Sequence, residues 1–94
     1  MKFNGLYYAN DDIHKYIAEF RTEDGFKHVK FGGFGYEDYT QHNNRNRKKL
    51  YLARHEARED WNNPITPGAL SRWLLWNKPT LKSSILDFKK RFDV

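Results

Sequence analysis

Apolar and polar residues alternate through residues 13–20, which predicts a strand with His14, Tyr16, Ala18 and Phe20 on one face and Ile13, Lys15, Ile17 and Glu19 on the other. Thr22-Glu23-Asp24-Gly25 supplies a turn, with Asp-Gly as the hairpin signal, and residues 26–31 form the return strand. An isolated hairpin is marginal in water, so a third strand or a helix must cover it. Leu6-Tyr7-Tyr8-Ala9 offers a short further strand inside an N-terminal lead-in of residues 1–12, and Asn10-Asp11-Asp12 reads as a turn. The glycines of Gly32-Gly33-Phe34-Gly35 end the sheet; their spacing fits neither a Walker loop nor a dinucleotide fingerprint, so a structural turn is the reading.

Downstream the period changes from two to 3.6. Residues 44–60 predict a first helix with an apolar stripe of Leu50, Ala53, Ala57 and Trp61 and a second stripe of Arg47, Tyr51, Arg54 and Arg58. Glu59 and Asp60 sit where the macrodipole disfavours them, so they are expected to pair or cap. Thr66-Pro67 starts a second helix of about residues 67–76, carrying Leu70, Trp73 and Leu74, and Asn77-Lys78-Pro79 stops it. Thr80 caps a third, with Leu81, Ile85, Phe88 and Phe92 as its buried stripe. Strands followed by helices argue for an α+β domain: a short antiparallel hairpin, or three strands if residues 6–9 add one, packed on three C-terminal helices. Residues 13–94 then form a single domain, as the length of 94 residues suits.

Charge sharpens this picture because it is unevenly spread. The net charge is +5, and residues 1–40 contribute −2, residues 41–60 +3 and residues 61–94 +4. A polarised basic surface attracts polyanions. The expected partner is therefore nucleic acid, DNA ahead of RNA, held mainly through phosphates by Arg45, Arg47, Lys48, Lys49, Arg54 and Arg58, with Tyr51 interleaved. Lys82, Lys89, Lys90 and Arg91 would extend that patch. The chain has no cysteine, which removes disulfides, thiolate metal sites and Cys nucleophiles and favours an intracellular setting. No apolar run has the length of a membrane span and the N-terminus lacks a signal-like apolar stretch, so no membrane association is expected.

Catalytic patterns are sparse. His42-Asn43-Asn44 admits two readings: a small metal-dependent nuclease using His42, Asp38 and His55, or a hydrogen-bonded His42 at a helix start. No H-x-x-H, H-E-x-x-H or D-x-D spacing supplies metal ligands, and no cofactor or metal is expected. His55-Glu56-Ala57-Arg58 matches the H-x-x-R element of tyrosine recombinases, but no nucleophilic Tyr follows Tyr51. Trp61, Trp73 and Trp76 read as core, with one of the last two reaching the surface as a partner contact. The domain is thus expected to be a binding protein, not an enzyme.

Three blocks carry a resemblance. Phe31-Gly32 with Gly35-Tyr36-Glu37-Asp38-Tyr39-Thr40-Gln41-His42 resembles an F-G-x-x-G-x-x-D-Y-T-x-H block. Arg47-Lys48-Lys49 through Tyr51-Leu52-Ala53-Arg54-His55 resembles R-K-x-x-Y-x-A-R-H, and residues 68–81 resemble G-x-x-S-x-x-I-L-W-N-K-P-T-L. Together, over about residues 13–92, the chain resembles a family of small basic proteins encoded by large DNA viruses of eukaryotes and by some bacteriophages, whose biochemical role is not assigned. The resemblance implies a viral setting: the cytoplasm or nucleus of a host, or the interior of a virion. It also raises the alternative of a minor structural protein that contacts other virion proteins.

Overall fold

A computed structural model describes residues 1–94. Three antiparallel strands, β1 (Lys2–Tyr8), β2 (His14–Thr22) and β3 (Gly25–Gly33), form one sheet in sequence order. The hairpin has the expected turn: Thr22 pairs with Gly25 across Glu23 and Asp24. The N-terminal segment, expected as a lead-in with a strand over residues 6–9, is instead a seven-residue edge strand paired with β2 from Lys2↔Arg21 to Tyr8↔Tyr16. A bulge between Phe3 and Gly5 explains the difference. It sets both Phe3 and Leu6 against the core, a spacing of three that strict alternation does not predict.

The covered face of the sheet is apolar. Ala18, Phe20 and Phe31 are buried there, with Tyr16 and Val29 packed beside them. On the other face Glu19 accepts hydrogen bonds from Asn4 and Tyr7 and pairs with His28.

The helices are α1 (Tyr39–His42), α2 (Arg45–His55, followed by a 3₁₀ turn over Glu56–Arg58), α3 (Pro67–Leu70) and α4 (Leu81–Phe92). Helix α1 was not anticipated. It forms because Asp38 caps it, accepting from Thr40 N, while the Gln41 side chain returns to Asp38 N in a capping box. The predicted helix over residues 67–76 is α3 running into a π-helical turn over Ser71–Leu75, closed by Trp76 N donating to Ser71 O at 3.0 Å. That turn buries both Leu74 and Leu75 and leaves Trp76 only half-buried. Thr66 and Thr80 cap α3 and α4 as expected.

Phe88 of α4 meets Phe3 edge-on at 5.4 Å and Phe20 at a tilt at 6.3 Å, and Leu70, Leu74 and Leu75 complete the core. The result is an α+β domain in which α3, the π turn and α4 cover one sheet face. Helix α2 stands apart: it has no buried residue, and its predicted apolar stripe is not one, since Leu50, Ala53 and Ala57 are exposed and Trp61 is half-buried.

Candidate nucleic-acid interface

What seats α2 is a junction and a stack. Asn43 takes a left-handed conformation (φ 51°) that ends α1, and its amide donates to Tyr39 O and Pro79 O. Asn44 then caps α2, accepting from Arg47 N at 3.0 Å, and donates its own N–H to His42 Nδ1 at 2.9 Å. The His42-Asn43-Asn44 triplet is thus a helix junction. His42 Nε2 is buried without a hydrogen-bond partner, and its ring lies against Tyr39 and Trp76.

Tyr51 is the central ring of a stack, with Trp76 at 4.2 Å and His55 at 4.0 Å. Both of its faces are therefore occupied. Burial pushes its phenol up to about 12. Tyr51 anchors α2 through both faces of its ring, which leaves it no free face on which a base could stack. Glu59 holds the far end of the helix, accepting from Trp61 Nε1 and pairing with His55 Nδ1 at 3.0 Å, so it meets a histidine and a tryptophan and no arginine.

The three groups of the nuclease reading are not assembled. Asp38 is buried as the α1 cap and forms an ion pair with Lys15 at 2.6 Å. His42 is spent on the junction and His55 on Glu59 and Tyr51. No group of three or more His, Cys, Asp or Glu side chains is placed to hold a metal ion.

The cations of α2 divide between two sides of the helix. On the outward side Arg45, Lys48 and Lys49 line a groove of about 680 Å³ with Lys78 from the turn after the π segment. Glu56 is the one carboxylate lining it. Lys48 lies over the Tyr39 ring at 4.9 Å and donates to Asn77 O at 2.7 Å. Burial, then the positive charges of Arg72, Lys78 and Arg45, hold its ammonium below the usual lysine range. Like charges this close are what a bound anion relieves. The other side faces the sheet across a groove of about 810 Å³, lined by Arg47, Leu50 and Arg54 from α2 and by Gly32, Gly33 and Tyr36 opposite. Here the arginines share the space with Glu37, Asp38 and Glu59, and Arg47 pairs with Glu37 at 3.3 Å.

The remaining predicted cations lie elsewhere. Arg58 folds back to donate to Arg54 O. Arg91 sits over Trp73 at 3.8 Å and pairs with Asp87. Lys82, Lys89 and Lys90 are exposed on α4 and line neither groove. Of the ten predicted cations, Arg47 and Arg91 alone have a carboxylate within 4.0 Å. Sequence reasoning missed Lys78, taken as part of a stop signal, and Arg72, whose guanidinium lies over Trp61 and Trp73 and donates to Trp76 O. The Asn77-Lys78-Pro79 turn carries no periodicity that would have marked Lys78 as part of a helix face.

A family profile matches residues 6–55, more than half of the chain. The chain belongs to the Family of unknown function (DUF5754). The match runs from β1 through the end of α2, so it takes in both sides of that helix and Tyr36 but not Lys78. No curated protein and no solved structure gives a significant match. No helix is long and apolar enough to cross a membrane.

Proposed function

We propose that this protein binds nucleic acid, DNA foremost, through its phosphate backbone, with the outward side of α2 as the contact surface. One observation carries the reading. Helix α2 presents five Lys/Arg and no Asp/Glu, buries none of its residues, and gathers Arg45, Lys48 and Lys49 with Lys78 around one groove. Such a cluster supplies the sequence-independent, counterion-releasing part of nucleic-acid affinity. Binding by α2 in a viral particle or a nucleoid is the setting that agrees with the resemblance.

A salt titration tests it. With about four phosphates engaged, log K for a duplex should fall against log salt with a slope of roughly −3.5, and Arg45→Ala with Lys49→Ala should lower its magnitude by about 2. Absence of binding to duplex and single strand alike at low salt overturns the reading.

A further inference from the structure

Beside the sheet-facing groove lies a shallow hollow of about 330 Å³ lined by Tyr8, Tyr16, Phe34 and Tyr36. Tyr36, Lys15, Glu37 and Asp38 line both, so hollow and groove adjoin, and the two carboxylates are held by Arg47 and Lys15 respectively. Three of these rings are open to solvent: Tyr36 is 77% exposed, Tyr8 75% and Phe34 56%. Exposed apolar side chains scattered singly need no explanation, but three aromatic rings around one hollow do. The backbone is also shaped to hold one of them. Tyr36 N donates to Gly33 O, and Gly35 takes a positive φ of 85°. A Cβ at Gly33 would come within 2.8 Å of the Tyr36 ring. A glycine is therefore required to seat a ring that contributes nothing to the core. On the facing wall, Arg54 has no carboxylate partner within 4.0 Å, and Arg47 has only the exposed Glu37.

We infer that this surface takes unpaired bases of single-stranded nucleic acid, stacked on Tyr36 with Phe34 and Tyr8 beside it, while Arg54 and Arg47 meet the adjoining phosphates. An aromatic face next to an unpaired arginine is the combination that single strands use, because every base has a stacking face and every link a phosphate. A duplex keeps its base faces inside the stack and cannot use the rings. The inference rests on the nucleic-acid reading and adds strand preference to it: the outward side of α2 serves any strand, the aromatic side only unpaired ones.

The test compares a thymidine oligomer with a duplex of the same length, using the full chain and Tyr36→Ala, Gly33→Ala and Arg45→Ala/Lys49→Ala variants. Tyr36→Ala should weaken single-strand binding by about tenfold to a hundredfold and leave duplex binding within about twofold. Gly33→Ala keeps the ring but displaces it, and should lose single-strand affinity in the same direction. Circular dichroism of each variant separates lost binding from lost fold. If the wild type binds both oligomers and Tyr36→Ala changes neither, the strand preference is wrong while the nucleic-acid reading stands. If neither oligomer binds at low salt, both fail. A protein complex abolished by Tyr36→Ala, with no oligonucleotide bound, assigns the rings to a protein partner and overturns the inference.

Discussion

The two sides of α2 both carry cations and differ in what surrounds them. Outward, Arg45, Lys48, Lys49 and Lys78 crowd one another with Glu56 as the sole carboxylate. Toward the sheet, Arg47 and Arg54 line a groove that Glu37, Asp38 and Glu59 also line, with Arg47–Glu37 the one arginine–carboxylate contact among them, and Gly32, Gly33 and Tyr36 lie on the wall opposite. The difference teaches that net charge alone does not define a binding surface. A cluster of like charges favours any polyanion, because binding relieves repulsion already present. A balanced groove gains little from charge, and what it binds depends on shape and on exposed rings.

The largest expected effect removes the device that keeps the two sides apart. Tyr51→Ala takes out the middle of the three-ring stack, the main aromatic tie between α2 and the core at Trp76. Loss of this half-buried aromatic side chain, with both stacking contacts, should cost about 3 kcal/mol, seen as a lower urea midpoint with little change in slope. Arg45→Ala, on an exposed position of the same helix, should shift that midpoint by no more than about 0.5 kcal/mol. Equal effects of the two would show that α2 is not held by the stack.

How far the sequence revealed this arrangement depends on period. The hairpin was legible because β2 alternates cleanly and Asp24-Gly25 marks its turn. β1 was not, because the bulge at Phe3/Gly5 breaks the alternation that would identify it. Helix α2 was legible as a helix from its 3.6-residue spacing, yet its surroundings were misread. Leu50, Ala53 and Ala57 share a face in any helix, and only the tertiary fold shows that nothing covers them. The stripe of Arg47, Tyr51 and Arg54 was real, but Tyr51 turned inward to Trp76 while the arginines reached the groove. Tyr36 and Lys78 lie in turns, where no periodicity reports direction.

A smaller effect should appear at high pH. Burial raises the Tyr51 phenol to about 12, above its value in an unfolded chain, so the folded state favours the neutral form. That contribution is fully present below about pH 10 and is lost as pH rises from there through about 12. Because the ring is only partly buried, its magnitude should be about 1–2 kcal/mol. Stability measured across this window should fall less steeply in Tyr51→Phe, and the last step of the tyrosinate absorbance titration should shrink. If the absorbance lost in Tyr51→Phe belongs to the steps near pH 10, the phenol is no more sheltered than an ordinary tyrosine.

The finest test of the contrast is Glu37→Gln. Glu37 and Arg47 are both substantially exposed, and their contact is 3.3 Å, so the pair itself should add no more than about 0.5 kcal/mol to stability. Its removal should therefore leave the urea midpoint almost unchanged. What it alters is the groove: Arg47 loses its competing carboxylate, and the aromatic side of α2 gains one unit of positive charge. Affinity for a thymidine oligomer should rise by about threefold at low salt, with the gain fading as salt screens it. At about 0.1 M salt the affinity for a duplex should rise far less, because a duplex held on the proposed outward side lies about one helix diameter, and so about a Debye length, from the change. A uniform gain for both oligomers would mean that the field of the whole domain, and not the local pairing of Arg47, governs binding on both sides of α2.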